Sequence, residues 1–151
     1  MSVIINGDSV ITSPLSVGFG GGNLTSNVAA GYQALSSNST GVNNVAIGYQ
    51  AALASTAGYV TAVGYKAATS STGVDIVAIG DRSMQFNTTG GQNVGVGGLS
   101  LYSNTTGSSN VGIGYKAAFA NTTGYNNTAV GFQSSSTNSV GANNTSIGTN
   151  S

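Results

Sequence analysis

Histidine, cysteine, tryptophan and glutamate are absent from the 151-residue chain, and proline occurs once. Without cysteine there is no disulfide or thiolate chemistry, so the redox compartment cannot be inferred. Charged residues make up 4% of the chain, against about 25% in an average globular protein. A net charge of zero argues against a nucleic-acid partner, which requires clustered lysine and arginine. The charged residues are Asp8, Asp75, Asp81, Lys66, Arg82 and Lys116.

Long apolar runs are also missing. A membrane helix requires about 18 or more continuous apolar residues, whereas glycine, asparagine, threonine and serine interrupt every run here. Disorder is not expected either, because 39% of the residues are hydrophobic and the net charge is zero. We therefore expect a soluble or surface-bound protein with no membrane partner. The segment 1–14 lacks the basic start and apolar stretch of a secretory signal, so export by that route would need a signal outside this chain.

Glycine, with 24 copies, organises the sequence into about nine copies of a unit of roughly 17 residues. Each unit has small apolar residues, then a motif glycine, then often an aromatic residue, as in 45–49 (Val-Ala-Ile-Gly-Tyr). Successive motif glycines are 17, 16, 16, 17, 17, 17 and 17 residues apart, and residues 16–19 resemble a shortened first copy. The motif glycines are Gly31, Gly48, Gly64, Gly80, Gly97, Gly114, Gly131 and Gly148.

A second glycine repeats in its own column, seven residues before the next motif glycine in six cases and six before Gly64. It often ends the sequence Asn-Thr-Thr-Gly, which is typical of a turn because asparagine and threonine side chains bond their own backbone. Stacked turns of this kind would form ladders of like residues. This second column is Gly41, Gly58, Gly73, Gly90, Gly107, Gly124 and Gly141.

The motif has the two-residue period of a β-strand. Val45 and Ile47 point to one face, which we predict to be the core, and Val111 and Ile113 repeat this arrangement in a later unit. The opposite face carries only small residues such as Ala46, and we expect it to leave room for another layer or a partner subunit. On this interpretation the motif glycines Gly48 and Gly114 are also structural core.

The segment after each motif glycine could be a second strand or one helical turn. The position two residues after the glycine holds all three basic residues, and we predict that it faces solvent. The next position is always small, as at Ala51 and Ala117, and we predict that it faces inward. The predicted solvent-facing residues are Gln33, Gln50, Lys66, Arg82, Leu99, Lys116 and Gln133.

Together these patterns predict an all-β fold, a parallel β-roll or β-solenoid of about eight to nine coils of 16–17 residues. Two short strands and two turns per coil fit this length. Residues 1–14 form a predicted attachment or capping segment, and residues 15–151 form the repeat domain. Because the last motif glycine, Gly148, is followed by no cap, we expect a further subunit or further chain to cover that end.

The Val-Ala-Ile-Gly-Tyr-x-Ala motif, spaced by Asn-Thr-Thr-Gly, resembles the YadA-like head repeats of trimeric autotransporter adhesins. The longer asparagine-rich unit is still more similar to repeats in phage tail-fibre and virion-fibre proteins, and residues 5–14 look like the leader of such fibres. The resemblance covers about residues 15–148 and implies a left-handed β-roll assembled as a homotrimer. It marks scaffold positions and transfers no ligand-binding residue. The 16–17-residue unit is longer than in the adhesin heads, so the coil shape is expected to differ.

Candidates for chemistry are few. Asp75 and Asp81 lie in neighbouring segments and could form a carboxylate pair, but a turn position for Asp75 and a substitution beside Arg82 for Asp81 explain them better. The glycine-rich stretches lack the Gly-Lys-Ser/Thr of a phosphate-binding loop. We therefore predict no catalytic residue, no metal site and no cofactor, and we expect a protein that is not an enzyme.

Two further patterns concern the surface. Eight Asn-x-Ser/Thr sequons suggest either glycosylation or, from their regular spacing, turn chemistry, which we favour. The aromatic column that follows the motif glycines could stack sugars, although packing between coils is the more common role. Outside that column, Tyr59, Tyr102 and Tyr125 are predicted surface contacts. The sequons begin at Asn23, Asn38, Asn87, Asn104, Asn121, Asn126, Asn143 and Asn144.

The leading expectation is a homotrimeric virion fibre, in the tail or on the capsid of a phage. It would bind other virion proteins through its N-terminal segment and would act as scaffold or as binder of a host-surface glycan or receptor. One alternative is the head of a trimeric autotransporter adhesin on a bacterial cell surface. A second alternative is an ice- or glycan-binding solenoid, suggested by low charge and by threonine pairs such as Thr88-Thr89.

Overall fold

The computed structural model describes residues 4–5, 9–10 and 17–151. At the N-terminus, β1 (Ile4–Ile5) and β2 (Ser9–Val10) pair antiparallel. The rest of the predicted attachment segment 1–14 lies outside the described residues. Within the described ranges there is no helix long and apolar enough to cross a membrane.

The repeat domain is built around one nine-stranded sheet. It begins with β3 (Val17–Gly18) and a 3-10 helix at Gly21–Asn23. Eight further strands, β4 to β11, pair in chain order, each parallel to the next. Their bounds are Val28–Ala30, Val45–Ile47, Val60–Val63, Ile76–Ile79, Val94–Val96, Val111–Ile113, Thr128–Val130 and Thr145–Ile147.

This architecture confirms the predicted all-β solenoid, with about seven turns of about 17 residues each, against the eight to nine coils predicted. Two further details of the prediction were wrong. The shortened first copy is not a coil, because β3 pairs antiparallel with β4 through Val17 and Ala30. Each coil also contains a single strand of three or four residues, where two strands were predicted. The segment after the motif glycine does not form the second strand.

That segment is neither the strand nor the helical turn that the sequence left open. It is a series of reverse turns: Ala51 N–H donates to Gly48 C=O (3.4 Å) and Leu53 N–H donates to Gln50 C=O (3.3 Å). The third residue of each of these turns, Gln50 and then Ala52, has a positive φ of 54° and 48°, as in type II turns. The intervening amides bond the neighbouring coil, as from Ala52 N–H to Ala67 C=O (2.9 Å), so the turns stack like a sheet.

The two faces of the strand are the reverse of the prediction. The small residues are buried: Ala46, Ala62, Ala78 and Ala129 are 0% exposed. The predicted core residues Ile47 and Ile113 are 44% and 40% exposed, and Val45 and Val111 are partly exposed. The motif glycines Gly48 and Gly114 are also only partly buried.

The thinness of the coil explains this reversal. A β-carbon at Gly95 would lie only 3.0 Å from Met84 Cε, and one at Gly112 would lie 3.1 Å from Leu101 Cγ. The strand therefore packs directly against the turns opposite it, with room for an alanine at most. Since the interior is already close-packed, isoleucine and valine are excluded from it and point outward.

The position two after the motif glycine is exposed or partly exposed in every coil, as predicted. The next position is buried throughout, also as predicted, from Ala34 to Ser134. The residue two positions after the solvent-facing one again has a positive φ, and its side chain is buried, as at Leu35, Met84 and Leu101. Apart from Val60 and Ile76, which begin β6 and β7, the larger core side chains therefore come from the turns.

Two ladders of buried asparagine run along the turn side of the solenoid. In the first ladder, Asn104 Nδ2 donates to Asn87 Oδ1 (2.7 Å), and Asn121 Nδ2 donates to Asn104 Oδ1 (2.8 Å). In the second ladder, Asn110 Nδ2 donates to Gly124 C=O (2.8 Å) and Asn110 Oδ1 accepts from Asn127 N–H (3.0 Å). The predicted turns and ladders are thus present, and most of the buried amide groups are hydrogen-bonded.

The two 16-residue coils depart from this pattern. In the first ladder they carry Ser55 and Ser71 instead of asparagine, and in the second they carry Val60 and Ile76, all 0% exposed. The missing residue lies in the turn that follows each serine, where Ser71-Thr72-Gly73 replaces Asn-Thr-Thr-Gly.

The structural alignment corrects one member of the second glycine column. Asn44 Nδ2 donates to Ala57 C=O (2.9 Å), as Asn27 Nδ2 donates to Gly41 C=O (2.9 Å). Ala57, and not the predicted Gly58, is therefore the counterpart of Gly41. This shift explains why the spacing to Gly64 is six residues instead of seven.

The motif glycines are required by backbone geometry. Their φ lies between 127° and 137°, which side chains rarely adopt. A β-carbon at Gly97 would also lie 2.6 Å from Gly114 C=O, and every motif glycine from Gly31 to Gly131 is crowded in the same way by the next one. The column thus lets consecutive coils approach each other closely.

Candidate interaction surface

The outward residues of the parallel strands form a continuous, mostly aliphatic strip, here called the apolar sheet face. Because the strands pair in register, Ile47 lies beside Val63 and Val96 beside Ile113. No charged residue occupies an outward position in β4 to β11. Its members are Val28, Ala30, Val45, Ile47, Thr61, Val63, Val77, Ile79, Val94, Val96, Val111, Ile113, Thr128, Val130, Thr145 and Ile147.

The aromatic residues after the motif glycines form a first aromatic ladder beside this face. Tyr32 and Tyr49 stack with ring centroids 5.2 Å apart, and Tyr49 and Tyr65 stack at 5.4 Å. Further along, Tyr115 stacks on Phe132 at 5.6 Å. The column therefore has the predicted packing role between coils, and within a stack the ring faces cover one another.

A second aromatic ladder lies in the turns of three consecutive coils. Phe86 meets Tyr102 edge to face at 4.9 Å, and Tyr102 stacks on Phe119 at 5.2 Å. The sequence patterns did not identify this ladder, because Phe86 lies six residues after its motif glycine while the other two lie five after theirs.

All three basic side chains lie over aromatic rings. Lys66 Nζ is 5.4 Å from the Tyr65 ring centroid, and Arg82 Cζ is 5.7 Å from the same centroid. Lys116 Nζ lies 5.5 Å from the Tyr115 centroid and 5.3 Å from the Phe119 centroid. Each cation thus keeps its charge at the surface while it contacts a ring, and Lys116 connects the two aromatic ladders.

The first aromatic ladder is interrupted in two adjacent coils, where Asp81 and Gly98 occupy the position after the motif glycine. Asp81 Oδ1 lies 3.8 Å from Arg82 Nε, and both side chains are about half exposed. It is the one ion pair among the residues that the structure describes. At such exposure it adds little to stability, so its placement calls for another explanation.

The three predicted surface tyrosines do not form one site. Tyr59 and Tyr125 are 59% and 52% exposed, but they lie in coils far apart along the chain. Tyr102 is only partly exposed, because it stacks between Phe86 and Phe119. Two of the three residues are therefore exposed, and a role of any of them as a surface contact stays a prediction.

The carboxylates Asp75 and Asp81 lie at opposite ends of the four-residue strand β7. Such a strand spans about 13 Å, so the two groups do not form a pair. Asp75 occupies a turn position with a φ of 57°, as expected from the sequence. Within the described part of the chain, no three residues of the types His, Cys, Asp or Glu come together as a metal-binding group.

The sequons divide by burial. The amides of Asn38, Asn87, Asn104 and Asn121 are almost fully buried and hydrogen-bonded within the ladders. Their nitrogens are not accessible for glycosylation in this fold, which agrees with the preferred interpretation as turn chemistry. Asn126 and Asn143 are exposed in a turn with positive φ.

Comparison with known proteins found no matching family, no matching curated protein and no matching solved structure.

Proposed function

We propose that this protein is a structural subunit of a fibre or appendage, in which copies of the chain associate through the apolar sheet face. The observation that carries the proposal is the outward isoleucine and valine of every coil, with Ile47 44% and Ile113 40% exposed. Water-exposed aliphatic side chains in register along eight strands are costly unless another surface covers them.

The apolar sheet face is long and narrow. Seven inter-strand steps of about 4.8 Å make it roughly 34 Å long, and the two residue steps from Val45 to Ile47 make it roughly 7 Å wide. The flat area is therefore roughly 240 Å², a contiguous strip that the same strip of another copy would cover along its whole length. The absence of charge from the outward strand positions also favours a copy of the same uncharged face as the occupant.

A homotrimer is the assembly that the resemblance to virion-fibre and adhesin-head repeats implies. A closed cyclic arrangement would turn the three apolar sheet faces toward one axis and leave the asparagine-rich turns in water. We place the protein on a virion, in the tail or on the capsid, with host-surface attachment as its role. The head of an adhesin on a bacterial surface would use the same assembly.

An ice-binding role finds less support in the geometry. Thr88 Oγ1 donates to Thr105 C=O, and Thr105 Oγ1 donates to Thr122 C=O (2.9 and 3.0 Å). These hydroxyl groups hold neighbouring coils together, so only the adjacent exposed column of Thr89, Thr106 and Thr123 is free to face water.

The molar mass in solution tests the proposal. By sedimentation equilibrium we expect three times the chain mass of 14.7 kDa for the native protein. We expect an Ile47→Lys/Ile113→Lys variant to fall to the monomer mass, because each lysine would bury a charge in the interface. Val74→Lys is the matched control, since Val74 is 49% exposed outside the apolar sheet face. A native protein that is a monodisperse monomer would refute the proposal.

A further inference from the structure

The interruption of the first aromatic ladder creates a surface notch between Tyr65 and Tyr115. Three inter-coil steps separate these residues, or about 14 Å, and the two intervening rungs are Asp81 and Gly98. The residues after the motif glycine in the coils on either side are aromatic. The notch therefore lies where two consecutive rings are missing from an otherwise regular column.

The walls of the notch differ in chemistry. On one side, the Tyr65 ring stacks on Tyr49 and has Lys66 Nζ at 5.4 Å and the Arg82 guanidinium at 5.7 Å from its centroid. On the other side, the Tyr115 ring stacks on Phe132 and lies near Gly98, with Lys116 Nζ 5.5 Å from its centroid. A β-carbon at Gly98 would lie 3.5 Å from Tyr115 Cδ2, so this ring face overlies a residue without a side chain.

Polar groups line the gap between the two rings. Asp81 provides two acceptor oxygens and Arg82 provides several N–H donors, and the two side chains remain 56% and 46% exposed. Asp81 is held beside Arg82 at 3.8 Å, which orients the carboxylate in the gap. The notch thus combines the 45% exposed Tyr115 ring with a donor and an acceptor in a chain that is otherwise almost uncharged.

We propose that this notch binds a pyranose residue of a saccharide. The C–H face of a sugar ring carries partial positive charge and packs on the negative face of an aromatic ring, here Tyr115. The sugar hydroxyls at the ring edge both donate and accept hydrogen bonds, so adjacent hydroxyls can bond the Asp81 carboxylate and the Arg82 guanidinium together. The gap of about 14 Å accommodates the guanidinium and one sugar ring stacked between the two tyrosines.

This inference deepens the proposed role in surface attachment by naming a ligand class and a site. It rests on the proposed function in one respect, because the notch must remain open to solvent in the assembled protein. The two proposals fail independently, because the molar mass tests the apolar sheet face and saccharide titration tests the notch.

The test uses the full chain in its native assembly and four probes: maltotriose, cellotriose, xylotriose and chitotriose. Saturation-transfer NMR detects weak binding, and we expect at least one probe to bind with a dissociation constant of about 1–10 mM. Gly98→Tyr restores one missing rung and fills the notch. It should weaken binding at least about tenfold, and thermal unfolding should show that its fold is retained, because a β-carbon at Gly98 meets only ordinary contacts with Tyr115 and Asp81.

Three further variants make the result specific. Tyr115→Leu removes the stacking face, and Asp81→Asn removes the charge of the carboxylate with little change in shape. Each should weaken binding at least about fivefold. These two variants keep the proposal testable if the Gly98→Tyr variant does not fold. Tyr125→Leu removes an exposed tyrosine elsewhere and should leave binding unchanged. Failure of all four saccharides to bind at a concentration of about 20 mM, about twice the weakest dissociation constant expected, would overturn the inference. Equal binding by the native protein and the folded Gly98→Tyr variant would overturn it as well.

Discussion

The two 16-residue coils and the 17-residue coils reach the same strand register by different interiors. In the longer coils, a buried asparagine in each ladder bonds the next coil, as from Asn104 to Asn87. In the shorter coils, Ser55 and Val60 occupy the equivalent positions, and β6 nevertheless pairs in register with β5 and β7. The asparagine ladders therefore serve the longer turn and are not required by the solenoid.

The physical reason lies in the turn. Asn38 Oδ1 accepts from Gly41 N–H (2.7 Å) and Asn38 Nδ2 donates to Gly41 C=O (2.8 Å), so one side chain closes a four-residue turn. When one residue is removed, the backbone closes the turn without that bridge. The side chain can then shrink to serine, and the neighbouring ladder position can become an apolar Val60 or Ile76.

The largest expected effect should be the same in both kinds of coil. Alanine at Gly64, which begins a short coil, or at Gly114 should cost about 3 kcal/mol or more, since φ is 137° and 127° and the β-carbon would overlap the next motif glycine. Urea unfolding measures the loss. Gly98→Ala is the control and should change stability by less than about 1 kcal/mol, because its β-carbon meets only ordinary contacts. Similar losses at Gly98 and Gly114 would contradict the assigned geometry.

The next effect should separate the two kinds of coil. Asn104→Ala removes the donor to Asn87 Oδ1 and should cost about 2–3 kcal/mol, because a buried acceptor is left unsatisfied. Ser55→Ala should be neutral within about 0.5 kcal/mol, since Ser55 Oγ is buried and has no hydrogen-bond partner among the described residues. Urea unfolding of both variants gives the comparison directly, and a serine as costly as the asparagine would show that the short coils are held in the same way.

A smaller effect should follow from placing the long-coil residue in a short coil. In Val60→Asn the new Nδ2 could donate to Gly73 C=O, but Oδ1 would find no donor, because Ile76 N–H already donates to Tyr59 C=O (3.1 Å). We expect a loss of about 1–2 kcal/mol in thermal or urea unfolding. If stability rose instead, the apolar ladder position would be an accident of sequence and not a consequence of the shorter turn.

The smallest effect concerns charge. Arg82→Gln breaks the one ion pair described, with Asp81, and should change stability by less than about 0.5 kcal/mol. The unfolding midpoint should likewise change little between low and high salt, measured by circular dichroism. A large salt dependence would mean that the exposed charges contribute more to the fold than their position indicates.

The repeat could be predicted from the sequence because its constraints are local. All eight motif glycines have a positive φ, and the seven from Gly31 to Gly131 are also approached closely by the next coil, and only glycine meets both conditions. The inward small position after the turn, such as Ala51, was likewise evident from its size alone. These features do not depend on how the two sides of the coil pack against each other.

The orientation of the strand could not be predicted, because it depends on the thickness of the coil. Alternation shows that Ile47 and Ala46 face opposite ways, and the usual assumption places the larger residue inside. That assumption fails where Leu101 from the opposite turn already fills the interior against Gly112. The notch at Gly98 was missed for a related reason, since a missing ring is significant only when its neighbours are known to stack.

Single-cysteine labelling tests the central claim that the apolar sheet face points out of the coil and is buried between chains in the assembly. The chain has no cysteine, so Ala46→Cys, Ile47→Cys and Val42→Cys each report one position to a thiol reagent. In the native assembly we expect only Val42→Cys, at a 39% exposed position, to react. In the Ile113→Lys background, which should dissociate the assembly, Ile47→Cys should become reactive and Ala46→Cys should stay protected. A reactive Ala46→Cys beside a protected Ile47→Cys in that background would contradict the account.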